Sequence, residues 1–451
     1  MNESRSMEGL AARRTALSVI RKVTEDGAYA ALALDAVLKG SGLSAADRRL
    51  VSRLAYDTLD HLIYLDYALN QVMAKPDTDI KLRNILRLGA CQILLEDRIP
   101  ESAATNLCVQ LCAELGMPGL KGVCNGILRN LVRKKDELVF PDPEKEPDLA
   151  ASVRLSVPEW LYRRIRDDWG DEAEKILAYR NEEEGWTIRP NLTRVDDAAF
   201  EQILAKKVWK KEKLPVPHAW KISGAMDISR DADYLAGHFS IQSAGSMLAC
   251  LAMNVKRGQQ VIDCCAAPGG KTCFLSELMG GTGRIQAWDI HEHRVELISA
   301  QARRLGLENI RPMLRDASRF REDLRQTTDA VLLDAPCSGL GFLAQKPDIK
   351  LRVTEESIRE LTELQAKLLD TVCEYVKPGG TLVYSTCSIL KSENQEQAEQ
   401  FLKRHPEFEE ARLPGSVPEI YKTRQSAGVQ FLEYRDGIEG FYLIRMRRKY
   451  D

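Results

Sequence analysis

The 451-residue sequence contains no run of about 18 uninterrupted apolar residues, the length that a membrane-spanning helix needs. Its start, MNESRSMEGLAARRTAL, lacks the apolar core of a secretory signal. A cytoplasmic protein with no membrane partner is expected. No C-x-x-C pair occurs and none of the six histidines stands in H-E-x-x-H, so no metal is expected. There is no charge excess: 64 Lys and Arg face 66 Asp and Glu, a net of −2 that carries no nucleic-acid signal. With 44% hydrophobic and 29% charged residues, the composition excludes a disordered polymer or a collagen-like fibre. Cysteine is plentiful, but eleven is an odd number, and in a cytoplasmic chain a disulfide framework is not expected. Cys108, Cys112 and Cys124 read as buried thiols.

Residues 9–135 read as helical throughout. Leu10, Ala11, Leu17, Ile20 and Val23 recur at helical spacing. Ser44 is a plausible N-cap for the run Leu50 to Leu62. Further periodic stretches follow at 80–95, 103–115 and 120–132, separated by Gly and Pro, and together they describe one helical bundle. Residues 1–135 carry 19 basic and 15 acidic residues, a bias of +4 that a solvated face also explains. Residues 136–150 are acidic and Pro-rich, as linkers are. Residues 151–235 form a small α+β module, with helices near 158–181, a strand at Thr187–Thr193 and a helix from about 196. From 236 onward, strands alternate with helices. The strand candidates are Gln260–Cys264, Gly283–Trp288, Ile310–Leu314, Ala330–Leu333 and Thr381–Ser385. That order implies a mostly parallel, doubly wound sheet with ligands at the carboxyl ends of its strands.

Four motifs fall at those ends. In VIDCCAAPGGKT (261–272), a strand runs into a Gly-rich turn that opens a helix. It is neither G-x-G-x-x-G nor G-x-x-x-x-G-K-[ST], so dinucleotide and polyphosphate readings lose their support. Asp289 ends the next strand and could accept from a ribose diol, or serve as a helix cap. Asp316 follows the third strand and could accept from an adenine amine. Together these residues outline a nucleoside pocket. LLDAPCSGLG (332–341) delivers Asp334 and Cys337, and LVYSTCS (382–388) delivers Cys387 to the same end of the sheet. Either thiol alone would also suit core packing.

Two thiols beside a nucleoside pocket suit covalent chemistry on a pyrimidine. Thiolate addition at carbon 6 makes carbon 5 enamine-like and able to attack an activated methyl group. A second thiol could then remove the carbon-5 proton, and Asp334 could hydrogen-bond the base. Only the thiolate is competent, so its proton must have an acceptor.

These motifs, with KPDIK at 346–350, resemble the RNA cytosine-5 methyltransferase superfamily, most closely the Sun family of 16S rRNA methyltransferases. The resemblance covers nearly the whole chain. It implies a multidomain protein: a NusB-like all-α RNA-binding domain (1–138), a linker (139–150), a small α+β pre-catalytic module (151–235), and an α/β Rossmann-like class I methyltransferase domain (236–451). It implies that Cys265, Ala266, Ala267, Pro268, Gly269, Gly270 and Lys271 surround S-adenosylmethionine, with Asp289 on its ribose and Asp316 on its adenine. Asp334 would border both cofactor and base, Cys387 would be the nucleophile, and Cys337 would serve as base or in product release.

The substrate would be a cytidine of 16S rRNA and the protein a monomer. A transfer RNA substrate, or a non-catalytic NusB-like assembly factor, are the alternatives. Three positions depart from the family pattern: Ser243 follows Gln242 where Asp is frequent, Leu351 replaces an aromatic, and GIEGFY (437–442) varies a usual Asp-Gly-Phe-Phe. The basic C-terminus (Arg445, Arg447, Arg448, Lys449) would contact RNA phosphates or simply be solvated.

Overall fold

Apolar residues repeating every three to four positions build helices through the N-terminal third. A computed structural model describes residues 2–180, 185–224, 227–422 and 427–450. The chain divides into two compact units, Met1–Ala178 with Leu343–Arg352, and Tyr179–Phe342 with Val353–Asp451.

The first unit contains α1 (Asn2–Thr24), α2 (Ala30–Leu38), α3 (Ala45–Asp60), α4 (Leu62–Val72), α5 (Ile80–Leu94), α6 (Glu101–Glu114), α7 (Lys121–Lys134), α8 (Pro147–Leu155), α9 (Glu159–Trp169) and α10 (Glu172–Ala178). Ser44 caps α3 as expected, its Oγ accepting from the Asp47 amide at 3.1 Å. Helix α5 is the centre of the bundle, with every residue from Asn84 to Ile93 buried. A Cβ on Gly89 would lie 2.8 Å from both Leu128 methyls, so a larger residue there would force the Leu128 side chain to move. Cys91, Cys108, Cys112 and Cys124 are free, buried thiols of this core.

Residues 343–352 pack within this helical unit, whereas the resemblance groups KPDIK with the catalytic half. Lys350 Nζ donates to the Asp60 carbonyl (2.7 Å) and Oδ1 (2.6 Å). Asp348 accepts from the Ala30 amide at 3.2 Å, Arg352 lies 3.5 Å from the Tyr29 ring centre, and Leu351 joins the apolar core. A buried ammonium must be paired, and in this fold its partner is on α3.

The second unit opens with an antiparallel sheet of β1 (Gly185–Pro190), β2 (Lys210–Lys213), β3 (Trp220–Ser223) and β4 (Phe239–Ile241), in the order β2-β3-β1-β4. The helix Asp197–Ala205 covers it through Phe200 and Leu204, which pack with Ile188, Ile222 and Phe239.

The larger sheet takes β5 (Gln260–Asp263), β6 (Arg284–Asp289), β7 (Ile310–Leu314), β8 (Thr328–Asp334), β9 (Val376–Thr386), β10 (Phe408–Glu410), β11 (Val429–Phe431) and β12 (Phe441–Arg448). Its order is β10-β12-β9-β8-β5-β6-β7, with β11 also paired to β12. Strands β5 to β9 pair in parallel, as their alternation with helices required. Strand β12 runs antiparallel to β9, β10 and β11. The C-terminal basic run is therefore the end of a sheet strand rather than a tail. Arg445 donates to Thr381 Oγ1, Arg448 donates to the Cys373 and Val376 carbonyls, and Lys449 donates to the Pro406 carbonyl.

The small sheet is fastened to the helix Gly270–Leu278 by a fully buried ion pair. Arg189 Nη1 donates to Glu277 Oε2 at 2.5 Å and Nε donates to Gln242 at 2.6 Å, with the guanidinium 4.3 Å from the Phe274 ring centre. Gln242, of the departing Gln-Ser pair, is thus consumed structurally. Removing one partner of such a pair strands the other charge. Arg189→Met is expected to lower unfolding free energy by about 3–5 kcal/mol in denaturant titration, and the double variant Arg189→Met/Glu277→Leu to recover part of that loss.

Candidate active site

Strand order reverses between β5 and β8, which leaves a crevice beyond their carboxyl ends. Strand β5 ends at Asp263, and the turn Cys264–Gly269 leads into the helix Gly270–Leu278. The Ala266 amide donates to the Trp288 carbonyl and the Gly269 amide to the Ala266 carbonyl, which folds the turn back over β6. Gly269 has φ +108°, and a Cβ on it would meet Ile298 at 3.1 Å, so glycine alone suits the position.

Carboxylates surround this turn. Burial comes first in pushing the Cys265 thiol up, and the charges of Asp263, Asp334 and Asp289 push it further. Asp289 and Asp316, at the ends of the neighbouring strands β6 and β7, offer acceptors to a ligand bearing hydroxyl and amine groups. Asp289 Oδ1 accepts from the His291 amide at 3.1 Å, and Oδ2 stands 3.5 Å from Arg294. Asp316 Oδ1 accepts from the Ser318 amide at 2.9 Å, and its Oδ2 lies 3.1 Å from Arg319. The Ser318 and Arg319 contacts outweigh burial and hold the Asp316 carboxyl below its usual range.

Lys271 crosses from the turn to β8, its Nζ donating to Asp334 Oδ2 at 2.6 Å and lying 5.7 Å from the Phe441 ring centre. Burial works against the lysine's charge, but Asp334 outweighs it and Lys271 is raised. Ser385 Oγ donates to Asp334 Oδ1 at 2.7 Å.

Strands β8 and β9 pair in parallel with Asp334 opposite Ser385, so the loops that follow leave side by side. They bring Cys337 Sγ to 3.3 Å from Cys387 Sγ. The contact with Cys387, then burial, then the charge of Glu393 push the Cys337 thiol well above its ordinary value. The Gly341 amide donates to the Cys387 carbonyl, and the Gly440 amide to the Gly341 carbonyl, both at 2.9 Å. A Cβ on Gly341 would fall 1.8 Å from the Gly440 carbonyl, so the three loops close only around glycine.

Every candidate catalytic and cofactor-binding residue read from the sequence thus lies at the carboxyl end of one sheet, and Asp334, Lys271, Cys337 and Cys387 are drawn together by direct contacts or shared strands. Sequence reasoning passed over Phe441, Ser385 and Glu393. Ser385 stood inside a quoted motif. Glu393 lies in KSENQEQ, which reads as a polar helix surface yet is buried at that residue. Among the described residues no cluster of three His, Cys, Asp or Glu could hold a metal, and no helix is long and apolar enough to cross a membrane.

Comparison with known proteins matches residues 250–447 to the family described as 16S rRNA methyltransferase RsmB/F, residues 10–133 to the NusB family, and residues 157–229 to the ferredoxin-like domain of RsmF/B-like methyltransferases. The probable ribosomal RNA small subunit methyltransferase B of Bacillus subtilis (strain 168) is 34% identical over 98% of this chain and 100% of that one. The ribosomal RNA small subunit methyltransferase B of Klebsiella pneumoniae (strain 342) is 31% identical over 97% and 98%. A methyltransferase homolog protein from Pyrococcus horikoshii, solved as a crystal structure, superposes with a TM-score of 0.58 at 26% identity, covering 67% of this chain and 99% of its own. The chain belongs to the ribosomal RNA small subunit methyltransferase B family.

As a family member it is an rRNA methyltransferase with S-adenosylmethionine as cofactor. Burial, seconded by Asp334, pushes the Asp263 carboxyl up to about 7, against the Thr272 hydroxyl that donates to it at 2.6 Å. A carboxyl raised on folding adds stability that is complete below its unfolded pKa of about 4 and lost as pH rises through its folded pKa. Asp263→Asn should therefore flatten the fall in melting temperature of the free protein between about pH 4 and pH 7 relative to wild type. Parallel melting curves for the two proteins would contradict this.

Proposed function

We propose that this protein methylates carbon 5 of a cytidine in 16S rRNA through a covalent adduct with Cys387. The observation that carries the reading is the pair of sulfurs 3.3 Å apart beside Asp334 at the strand tips. An internal cytidine must be turned out of its stack to reach them. Backbone amides of the turn 265–271 and the carboxylates Asp289 and Asp316 hold S-adenosylmethionine, which supplies the methyl group when bound.

Asp334, oriented by Lys271 and Ser385, accepts a hydrogen bond from the base edge. Cys387 adds as thiolate to carbon 6, and the ring electrons move toward carbon 5. Cys337 enters the cycle protonated and passes that proton to the ring as the adduct forms. Carbon 5 takes the methyl group, and the Cys337 thiolate then accepts the carbon-5 proton. The carbon 5–carbon 6 double bond reforms, Cys387 leaves as thiolate, and the ring proton goes to solvent. Two cysteines that share a hydrogen bond divide these tasks better than one, because a single sulfur cannot be both nucleophile and base at once.

Two variants test the assignment, with purified protein, S-adenosylmethionine and 16S rRNA. Cys387→Ala should lose methylation by about a thousandfold or more. Cys337→Ala should accumulate a protein–RNA adduct resistant to denaturing gels. The reverse pattern would exchange the two roles, and full activity in both would end the covalent mechanism. Bisulfite sequencing of the wild-type product identifies the base, and methylation of transfer RNA in place of 16S rRNA would overturn the substrate.

A further inference from the structure

We propose that Glu393 is a positioning residue, which yokes the Cys337 loop to the Cys387 loop and maintains their sulfurs as an unequal pair. This rests on the covalent reading above and assigns to that site a residue outside its motifs. Glu393 is wholly buried at the end of the turn Lys391–Glu393. Its Oε1 accepts from the Ser338 amide at 2.8 Å and Gln365 Nε2 at 3.1 Å. Its Oε2 accepts from Ser338 Oγ at 2.6 Å and from Ser388 Oγ. Ser338 directly follows Cys337 and Ser388 directly follows Cys387. One carboxylate therefore holds the residue next to each sulfur, and the two hydroxyls also lie 3.1 Å apart. Gln365, on the helix Glu355–Val372, donates as well to the Pro336 carbonyl at 2.9 Å, which holds the residue on the other side of Cys337.

The carboxylate is itself held in place. The Tyr384 hydroxyl donates to the Glu393 carbonyl at 2.5 Å, and Asn394 Nδ2 donates to the Ser388 carbonyl at 2.9 Å. Among the described residues no Lys, Arg or His forms an ion pair with Glu393; four neutral donors satisfy it instead. A buried anion without a counter-ion is costly unless it is fully hydrogen-bonded, and it disfavours a second negative charge nearby. That second charge would be the Cys337 thiolate, which the Glu393 charge opposes. An apolar residue or an amide at 393 would pack the loops, but it could not supply that field.

The experiment uses the full chain with Glu393→Gln, which keeps the shape and removes the charge, and with Ser338→Ala/Ser388→Ala, which cuts both hydroxyl links and keeps the charge. Melting curves establish folding. Iodoacetamide labelling across pH, read by peptide mass spectrometry, reports each thiol without RNA, so it holds even if the substrate reading fails. In Glu393→Gln the labelling midpoint of Cys337 should move about one pH unit toward acid, because removing a negative charge eases thiolate formation. The serine double variant should lose about tenfold or more in kcat with KM within about twofold, as expected for lost alignment of reacting groups. Wild-type labelling in Glu393→Gln with wild-type kcat in the serine variant would overturn the proposal. Loss of kcat in Glu393→Gln with an unmoved Cys337 profile would reduce Glu393 to a packing residue and overturn it equally. Should Glu393→Gln fail to fold, the serine variant decides alone.

Discussion

The candidate chemistry depends on one register: β8 and β9 lie parallel with Asp334 opposite Ser385. A parallel pair sends both of its following loops to the same end of the sheet. Two residues of slippage would displace the loops by about 7 Å, enough to separate the sulfurs. Burial on both faces, with Val331, Leu332, Leu333, Leu382, Val383 and Tyr384 all enclosed, sets the register against slippage. The glycine contact between Gly341 and Gly440 then brings the end of β12 against the same loops. Strand β12 in turn carries Phe441 toward Lys271.

Buried charge is concentrated around this crevice, and each case is compensated differently. Lys271 and Asp334 neutralise one another. Arg189 and Glu277 do so beneath the small sheet, where Gln242 and the Phe274 ring also contact the guanidinium. Glu393 is satisfied by neutral donors alone. Asp263 accepts from the Thr272 hydroxyl, and burial together with the charge of Asp334 raises its carboxyl. Such networks contribute little net stability compared with apolar packing. What they do provide is orientation, because a hydrogen-bonded charge has few alternative places to go.

The elements legible from sequence were those whose signal is local. Four of the five parallel strands are legible to within two residues because each is an apolar run closed by a turn, whereas β9 begins five residues before the expected Thr381, at Val376, where Lys377, Pro378, Gly379 and Gly380 break the apolar run. The helical bundle showed its 3.6-residue period, and Ser44 its capping position. Strand β12 was passed over because FYLIRMRR ends in a run of basic residues, and only its place between β9 and β10 uses their hydrogen bonds. The resemblance groups KPDIK with the catalytic motifs, yet Lys350 is paired with Asp60, 290 residues away along the chain. Glu393 was illegible for the opposite reason: its neighbours Lys391, Ser392, Asn394 and Gln395 are all polar, and nothing in the pattern distinguishes a buried acid from a solvated one.

The sequence by itself determined which chemical groups are available, two strand-tip thiols, a lysine and a set of carboxylates, and that each would follow a strand. It determined this because strand, turn and helix signals lie within a dozen residues of each other. Only the tertiary structure decided that the sulfurs meet, that Asp334 is shared between Lys271 and Ser385, and that Glu393 joins the two loops. Those relations are distances between atoms 5 to 63 positions apart in sequence. They follow from pairing register and burial, which depend on the whole fold and leave no mark on any single stretch of sequence.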